Sequence, residues 1–145
     1  MKILVMNGPN INFLGIREPG IYGKQNFEAL QHMIRDKAKA LGVEVELYQS
    51  NHEGALIDRI QQAYFDKVDG IVFNPGAYTH YSYAIRDALG SIPDIPKIEV
   101  HISNIHKREE FRHTSVTAPV MNAQIAGLGL QGYLLAMEAL VNGLS

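Results

Sequence analysis

The chain has 145 residues, 46% of them hydrophobic, with 13 Lys and Arg against 15 Asp and Glu and a formal net charge of −2. That length suits one domain with a real core, residues 1–145, and the near-neutral balance argues against a basic nucleic-acid binder. The absence of cysteine removes disulfides, thiolate metal sites and cysteine nucleophiles, and with no apolar run of transmembrane length and no signal peptide the expectation is a cytoplasmic protein without a membrane partner.

Residues 2–6, Lys-Ile-Leu-Val-Met, read as a buried strand that opens into Asn7-Gly8-Pro9-Asn10. A Gly-, Pro- and Asn-rich loop then runs to about Lys24. Phe27, Leu30, Ile34, Ala38 and Leu41 fall at helical spacing, with Asn26 as N-cap and Gly42 just past the end. Val43, Val45 and Leu47 alternate with Glu44, Glu46 and Tyr48, the pattern of a strand with one exposed face. Ser50 and Glu53 have capping-box spacing for a helix over about 53–66, with Leu56, Ile60, Ala63 and Tyr64 on its apolar stripe.

Gly70 to Phe73 reads as a buried strand stopping at Asn74-Pro75-Gly76, and Thr79 can cap a helix to about Leu89. Pro96 precedes a strand from Lys97 to His101. Asn104 can cap a short helical stretch around 105–111, and Val116-Thr117 is a candidate last strand. Residues 122–141 read as one C-terminal helix, apolar nearly all round, of the kind buried by the domain or by a partner. Strands alternating with helices predict an α/β fold: a flavodoxin-like, doubly wound sheet of five parallel strands in three layers.

In such sheets ligands bind beyond the carboxyl ends of the strands. Three predicted loops on that edge carry much of the polar chemistry: Asn7 to Tyr22, Asn74 to His80, and His101 to Arg112. Each has an ordinary reading when taken singly. Asn-Gly-Pro-Asn and Asn-Pro-Gly are common turn chemistry, a loop Tyr is more often packed than reactive, and the charges from 107 to 112 suit a solvated face. The first loop lacks both phosphate-binding glycine patterns, and the chain has neither His-Glu-x-x-His nor Gly-x-Ser-x-Gly. The simplest reading of the residues is an acid–base enzyme without metal or cofactor. The alternative is a flavodoxin-like binding or regulatory module without catalysis.

The motifs are specific enough to mark a resemblance. Asn7-Gly-Pro-Asn-Ile-Asn-Phe-Leu-Gly15, Arg17-Glu-Pro, Tyr22-Gly, Gln49-Ser-Asn-His-Glu-Gly54 and Asn74-Pro-Gly-Ala-Tyr-Thr-His80 resemble the type II 3-dehydroquinate dehydratases. So do Ala84-Ile-Arg-Asp87, Glu99-Val-His-Ile-Ser-Asn104, Arg108-Glu-Glu-Phe-Arg112 and Gly127-Leu-Gly-Leu-Gln-Gly-Tyr133, in order along essentially the whole chain. The departures are mild: Ile11 and Phe13 replace Leu, Tyr81 and Tyr83 replace smaller residues, and Thr114 to Asn122 matches loosely.

The resemblance implies dehydration of 3-dehydroquinate to 3-dehydroshikimate without a cofactor, in a dodecamer built from four trimers. It implies Tyr22 as base, His101 as acid and Arg17 as the group that holds the charge. It also implies substrate contacts from Asn74, His80, Ile102, Ser103 and Arg112, with Asp87 reaching in from a neighbouring subunit. Asn10 is expected to hold a water. Glu99, two residues before His101, falls on the same strand face and is placed to orient the imidazole.

A Tyr base needs help. Its free pKa is ~10, so ionisation near neutrality costs about 4 kcal/mol. One cation ~4 Å away returns about 4 kcal/mol at an effective dielectric of ~20, and desolvation consumes part of that. Two cations therefore suffice where one is marginal, and Arg108 is the candidate second. Lys97 is the only tempting amine for a Schiff-base route.

Overall fold

A computed structural model describes residues 1–16 and 25–144. Five strands form one parallel sheet: β1 (Lys2–Asn7), β2 (Glu44–Gln49), β3 (Gly70–Asn74), β4 (Lys97–His101) and β5 (Ala123–Ala126). Their order is β2-β1-β3-β4-β5. Among the described residues four helices connect or follow them: α1 (Phe27–Leu41), α2 (Glu53–Asp66), α3 (Tyr83–Gly90) and α4 (Gln131–Asn142). This is the flavodoxin-like strand order, with its switch point between β1 and β3.

Strand parity sorts the core into two halves. Ile3 and Val5 of β1 point to the face covered by α1 and α4, where Leu30, Ile34, Met137 and Leu140 are buried. Leu4 and Met6 point the opposite way, onto Leu56, Ile60, Ile85 and Leu89 of α2 and α3. β1 is buried on both faces from Ile3 onward, which is why Ile3 to Met6 form a continuous apolar run. Among the described residues no helix is long and apolar enough to cross a membrane.

Several local expectations hold. Asn26 caps α1 by accepting from the Ala29 amide at 2.8 Å, and Gly42 ends it at φ 71°. Others give way to tertiary demands. Ser50 and Glu53 do not form a capping box: Ser50 Oγ accepts from the His52 amide at 3.0 Å, while the Glu53 carboxylate accepts from the Ser82 hydroxyl at 2.6 Å. Ser82, not Thr79, caps α3 by accepting from the Ile85 amide. Thr79 is buried in a 3-10 turn (Gly76–His80), where its hydroxyl meets Ser115 and Thr117. Tyr64 leaves the α2 stripe and faces outward beside Phe65.

The predicted helix at 105–111 is two 3-10 turns, Ile105–Lys107 and Glu110–His113, the first capped by Asn104 through the His106 amide at 3.0 Å. Val116-Thr117 is not a strand. Thr117 turns fully inward to a buried carboxylate, and a 3-10 turn with Pro119 follows it. The last strand instead lies within the predicted C-terminal helix, which begins only at Gln131. Gly127 and Gly129 stand at φ 90° and 63° between them, conformations that interrupt a helix. The shortened α4 buries Tyr133, Ala136, Met137 and Leu140 within its own fold, so its apolar composition needs no partner to explain it.

Candidate active site

The carboxyl ends of β1 and β3 lock together through their loops. The Gly8 amide donates to the Asn74 carbonyl at 2.8 Å. A β-carbon on Gly8 would stand 2.4 Å from the Pro75 carbonyl oxygen, so only glycine allows this approach. Reciprocally, Gly76, at φ 61°, packs against Pro9. Beneath them Tyr133 of α4 donates to Asn7 Oδ1 at 2.5 Å and accepts from Asn74 Nδ2 at 2.8 Å. From β2, Gln49 Nε2 donates to the Gly8 carbonyl at 3.1 Å. Asn51 Oδ1 accepts from the amide of Asn10, which sits in the left-handed region at φ 70°.

These loops and the end of β4 enclose a cleft of about 690 Å³, its solvent mouth included, within the usual range for a small-molecule site. Asn10, Asn74, His80, His101, Ile102, Ser103, Arg108 and Arg112 all line it. Ile11, Leu14 and Ile105 supply apolar wall. Eight expected site residues thus converge on one cavity.

At its floor His101 Nε2 lies 2.9 Å from Glu99 Oε2, a pairing set by the two-residue period of β4. Both are buried. Burial alone would push the Glu99 carboxyl up. The hydrogen bond and charge of His101, with hydrogen bonds from Thr117 and Gln124, outweigh it and hold the group below its ordinary value. Ser115 Oγ and Gln124 Nε2 donate to Glu99 Oε2 at 2.9 and 2.7 Å, and the Thr117 hydroxyl donates to Oε1.

On the rim, His80 Nδ1 bonds the Thr114 carbonyl at 2.9 Å, so that nitrogen carries the hydrogen. Partial burial lowers the His80 pKa, and the charges of His101 and Arg112 add to this against the raising effects of the Thr114 bond and Glu99. A neutral His80 keeps Nε2 as an acceptor. Arg112 lies over the Phe111 ring and donates to Glu109 at 3.0 Å. Arg108 Nη1 donates to Ser103 Oγ at 3.4 Å.

Tyr22 and Arg17 lie outside the described residues. Asp87 is exposed on α3 and does not line this chain's own cleft. Asn74 lines the cleft beside His101, yet its amide is engaged by Tyr133 and by the Gly76 amide at 3.0 Å rather than by the imidazole. Tyr81 and Tyr83 are exposed outside the cleft and leave its interior unchanged. Lys97 opens β4 four residues from His101, about 13 Å along the strand. It is buried there, with Nζ held by the Ile92 and Ile95 carbonyls at 2.7 and 2.9 Å. A Schiff base at Lys97 has no access to the cleft.

Sequence reasoning missed Ser115, Thr117, Gln124 and Tyr133. Ser115 and Thr117 carry a weak signal, two hydroxyls at strand spacing. Gln124 carries none, because the register Glu99↔Gln124 exists only once β5 is placed.

A family model described as dehydroquinase class II matches residues 1–141. A 3-dehydroquinate dehydratase of Lachnospira eligens is 74% identical over 98% of this chain and 97% of its own length. The Thermotoga maritima protein of the same name is 61% identical over 95% and 93%. The crystal structure of the type II dehydroquinase of Butyrivibrio crossotus superposes with a TM-score of 0.95 at 66% identity, covering 99% of this chain and 98% of that one.

Proposed function

The chain belongs to the class II dehydroquinase family, and from that premise we propose that it is a 3-dehydroquinate dehydratase, a hydro-lyase forming 3-dehydroshikimate in the shikimate pathway. The observation that carries the reading is the buried Glu99–His101 pair at the floor of a cleft lined by Asn10, Asn74, His80, Ser103 and Arg112.

Elimination of water beside a ketone needs a base for the α-proton, a place for enolate charge and an acid for the departing hydroxyl. Tyr22, ionised beside Arg17 with Arg108 as second cation, takes the proton. The electron pair moves to the carbonyl oxygen, where a water held by Asn10 receives the enolate charge. The enolate re-forms the ketone and an adjacent double bond by expelling the β-hydroxyl in the anti sense. His101 gives that hydroxyl its proton, and water leaves.

The pairing with Glu99 supports an assignment of the acting nitrogen. A carboxylate accepts only, so Nε2 carries the hydrogen toward Glu99 and Nδ1 is the proton donor. With a hydrogen on Nε2 as well, donation from Nδ1 comes from the imidazolium, whose Nε2 side faces the Glu99 carboxylate. The amides of Ile102 and Ser103, with the Ser103 hydroxyl, suit the substrate carboxylate. Asn74, neutral His80 and Arg112 suit its ring hydroxyls, joined by Asp87 of a neighbouring subunit in a dodecamer of four trimers. Residues 1–145 act as one flavodoxin-like catalytic unit, in the cytoplasm, without metal or other cofactor.

The test is direct. Adding 3-dehydroquinate should produce the ultraviolet absorbance of a conjugated enone, and Tyr22→Phe should abolish it. No absorbance change with the unmodified protein removes the proposal in favour of a binding module. Borohydride added with substrate should trap no adduct.

A further inference from the structure

Glu99 accepts from more than His101. Its two oxygens receive four donors: His101 Nε2, Ser115 Oγ, Thr117 Oγ1 and Gln124 Nε2. Four is about the full acceptor capacity of a carboxylate. Three come from outside β4. Ser115 and Thr117 lie on the connection to β5, and Gln124 lies on β5 directly across the register. The hydroxyls are braced in turn by Thr79, whose Oγ1 stands 2.8 Å from Ser115 Oγ and 2.6 Å from Thr117 Oγ1.

A buried carboxyl surrounded by acceptors would take up a proton. One surrounded by donors stays charged, because each bond favours the ionised form. We propose that Ser115, Thr117 and Gln124 are positioning residues that keep Glu99 ionised and aimed at His101, so that the imidazole keeps its acceptor and its orientation. The proposal rests on the reading of His101 as the acid. The titratable and charged groups around the pair, among the described residues, are His80 on the turn after β3 and Arg108 and Arg112 after β4. Of the charged groups here Glu99 is the one bonded to the His101 ring, so its protonation on the acid side removes the acceptor that aims the imidazole.

The experiment follows the Glu99 carboxyl carbon and the His101 ring by NMR across pH, with kcat and KM over the same range. The proteins are the parent, Thr117→Val, Thr117→Ser and Gln124→Leu. Losing one donor should raise the Glu99 midpoint by about one pH unit, from the roughly two-unit lowering that two or three such bonds produce. The acidic limb of kcat should rise with it while KM holds, and Thr117→Ser should restore both. Gln124 is exposed, so its variant reports even where Thr117→Val fails to fold. An unmoved Glu99 midpoint in Gln124→Leu overturns the proposal. A moved midpoint with an unmoved kcat profile supports it and overturns His101 as the acid.

Discussion

The ionised Glu99 ties acid stability to the same residue that serves His101. Burial works to raise its carboxyl, and the His101, Thr117 and Gln124 contacts lower it further than burial raises it. Its unfolded pKa is about 4.3, above the folded value. The stabilisation is therefore present above about pH 4.3 and is lost as pH falls through the folded value. Glu99→Gln should flatten that acid-side loss, seen as denaturation midpoints that change less between neutral pH and acid than those of the parent. Arg112 makes a second prediction at this scale. Removing a charge-assisted partner of a substrate hydroxyl costs about 1.5–3 kcal/mol, so Arg112→Ala should raise KM roughly ten- to hundredfold. An unchanged KM would confine Arg112 to its contacts with Phe111 and Glu109. The residues themselves were legible: Asn10, Asn74, His80, His101 and Arg112 carry polar groups where a strand ends. Their partners Ser115, Thr117 and Gln124 were not, because a hydroxyl or amide has no sequence signature for the carboxylate it will meet.

The elements show where local pattern sufficed and where it did not. β1 and β3 are short, mostly apolar runs buried on both faces, β4 is announced by Pro96 before it, and α1 has its cap, its stripe and its terminal glycine in sequence; these boundaries follow from local chemistry. β5 is short, partly exposed and made of Ala, Gln and Ile, so nothing in its composition separates it from the helix that follows. Only pairing with β4 makes it a strand. Thr79 was drawn from its capping position by the buried hydroxyl cluster, which left that task to Ser82. The interlocked loops after β1 and β3 give the prediction at this scale. Gly8→Ala places a β-carbon 2.4 Å from a backbone oxygen, a clash no rotamer relieves. It should cost about 1–3 kcal/mol, lower the thermal midpoint and reduce kcat together, because Asn10 and Asn74 move apart. Gly54→Ala, which meets nothing within 4 Å and lies in α2, is the control and should lower neither.

At the scale of the molecule, the switch point between β1 and β3 opens the cleft, and β4 brings His101 to its floor. Asp87 stands exposed on α3, so a role in the site requires a second subunit. Two inactive variants, Asp87→Ala and His101→Ala, should recover part of the activity when refolded together and none when mixed as intact assemblies. Failure of the co-refolded sample would take Asp87 out of the site. The sequence by itself determined the fold class, the loops that carry the polar groups and the absence of any thiol chemistry, because strand periodicity, turn residues and composition act locally. The tertiary structure decided the carboxylate held by four donors, the burial of Lys97 away from the cleft and the identity of the last strand. Each of these depends on which segments pair across the sheet, and hydrogen bonds between residues far apart in the chain form only after the sheet has chosen its order.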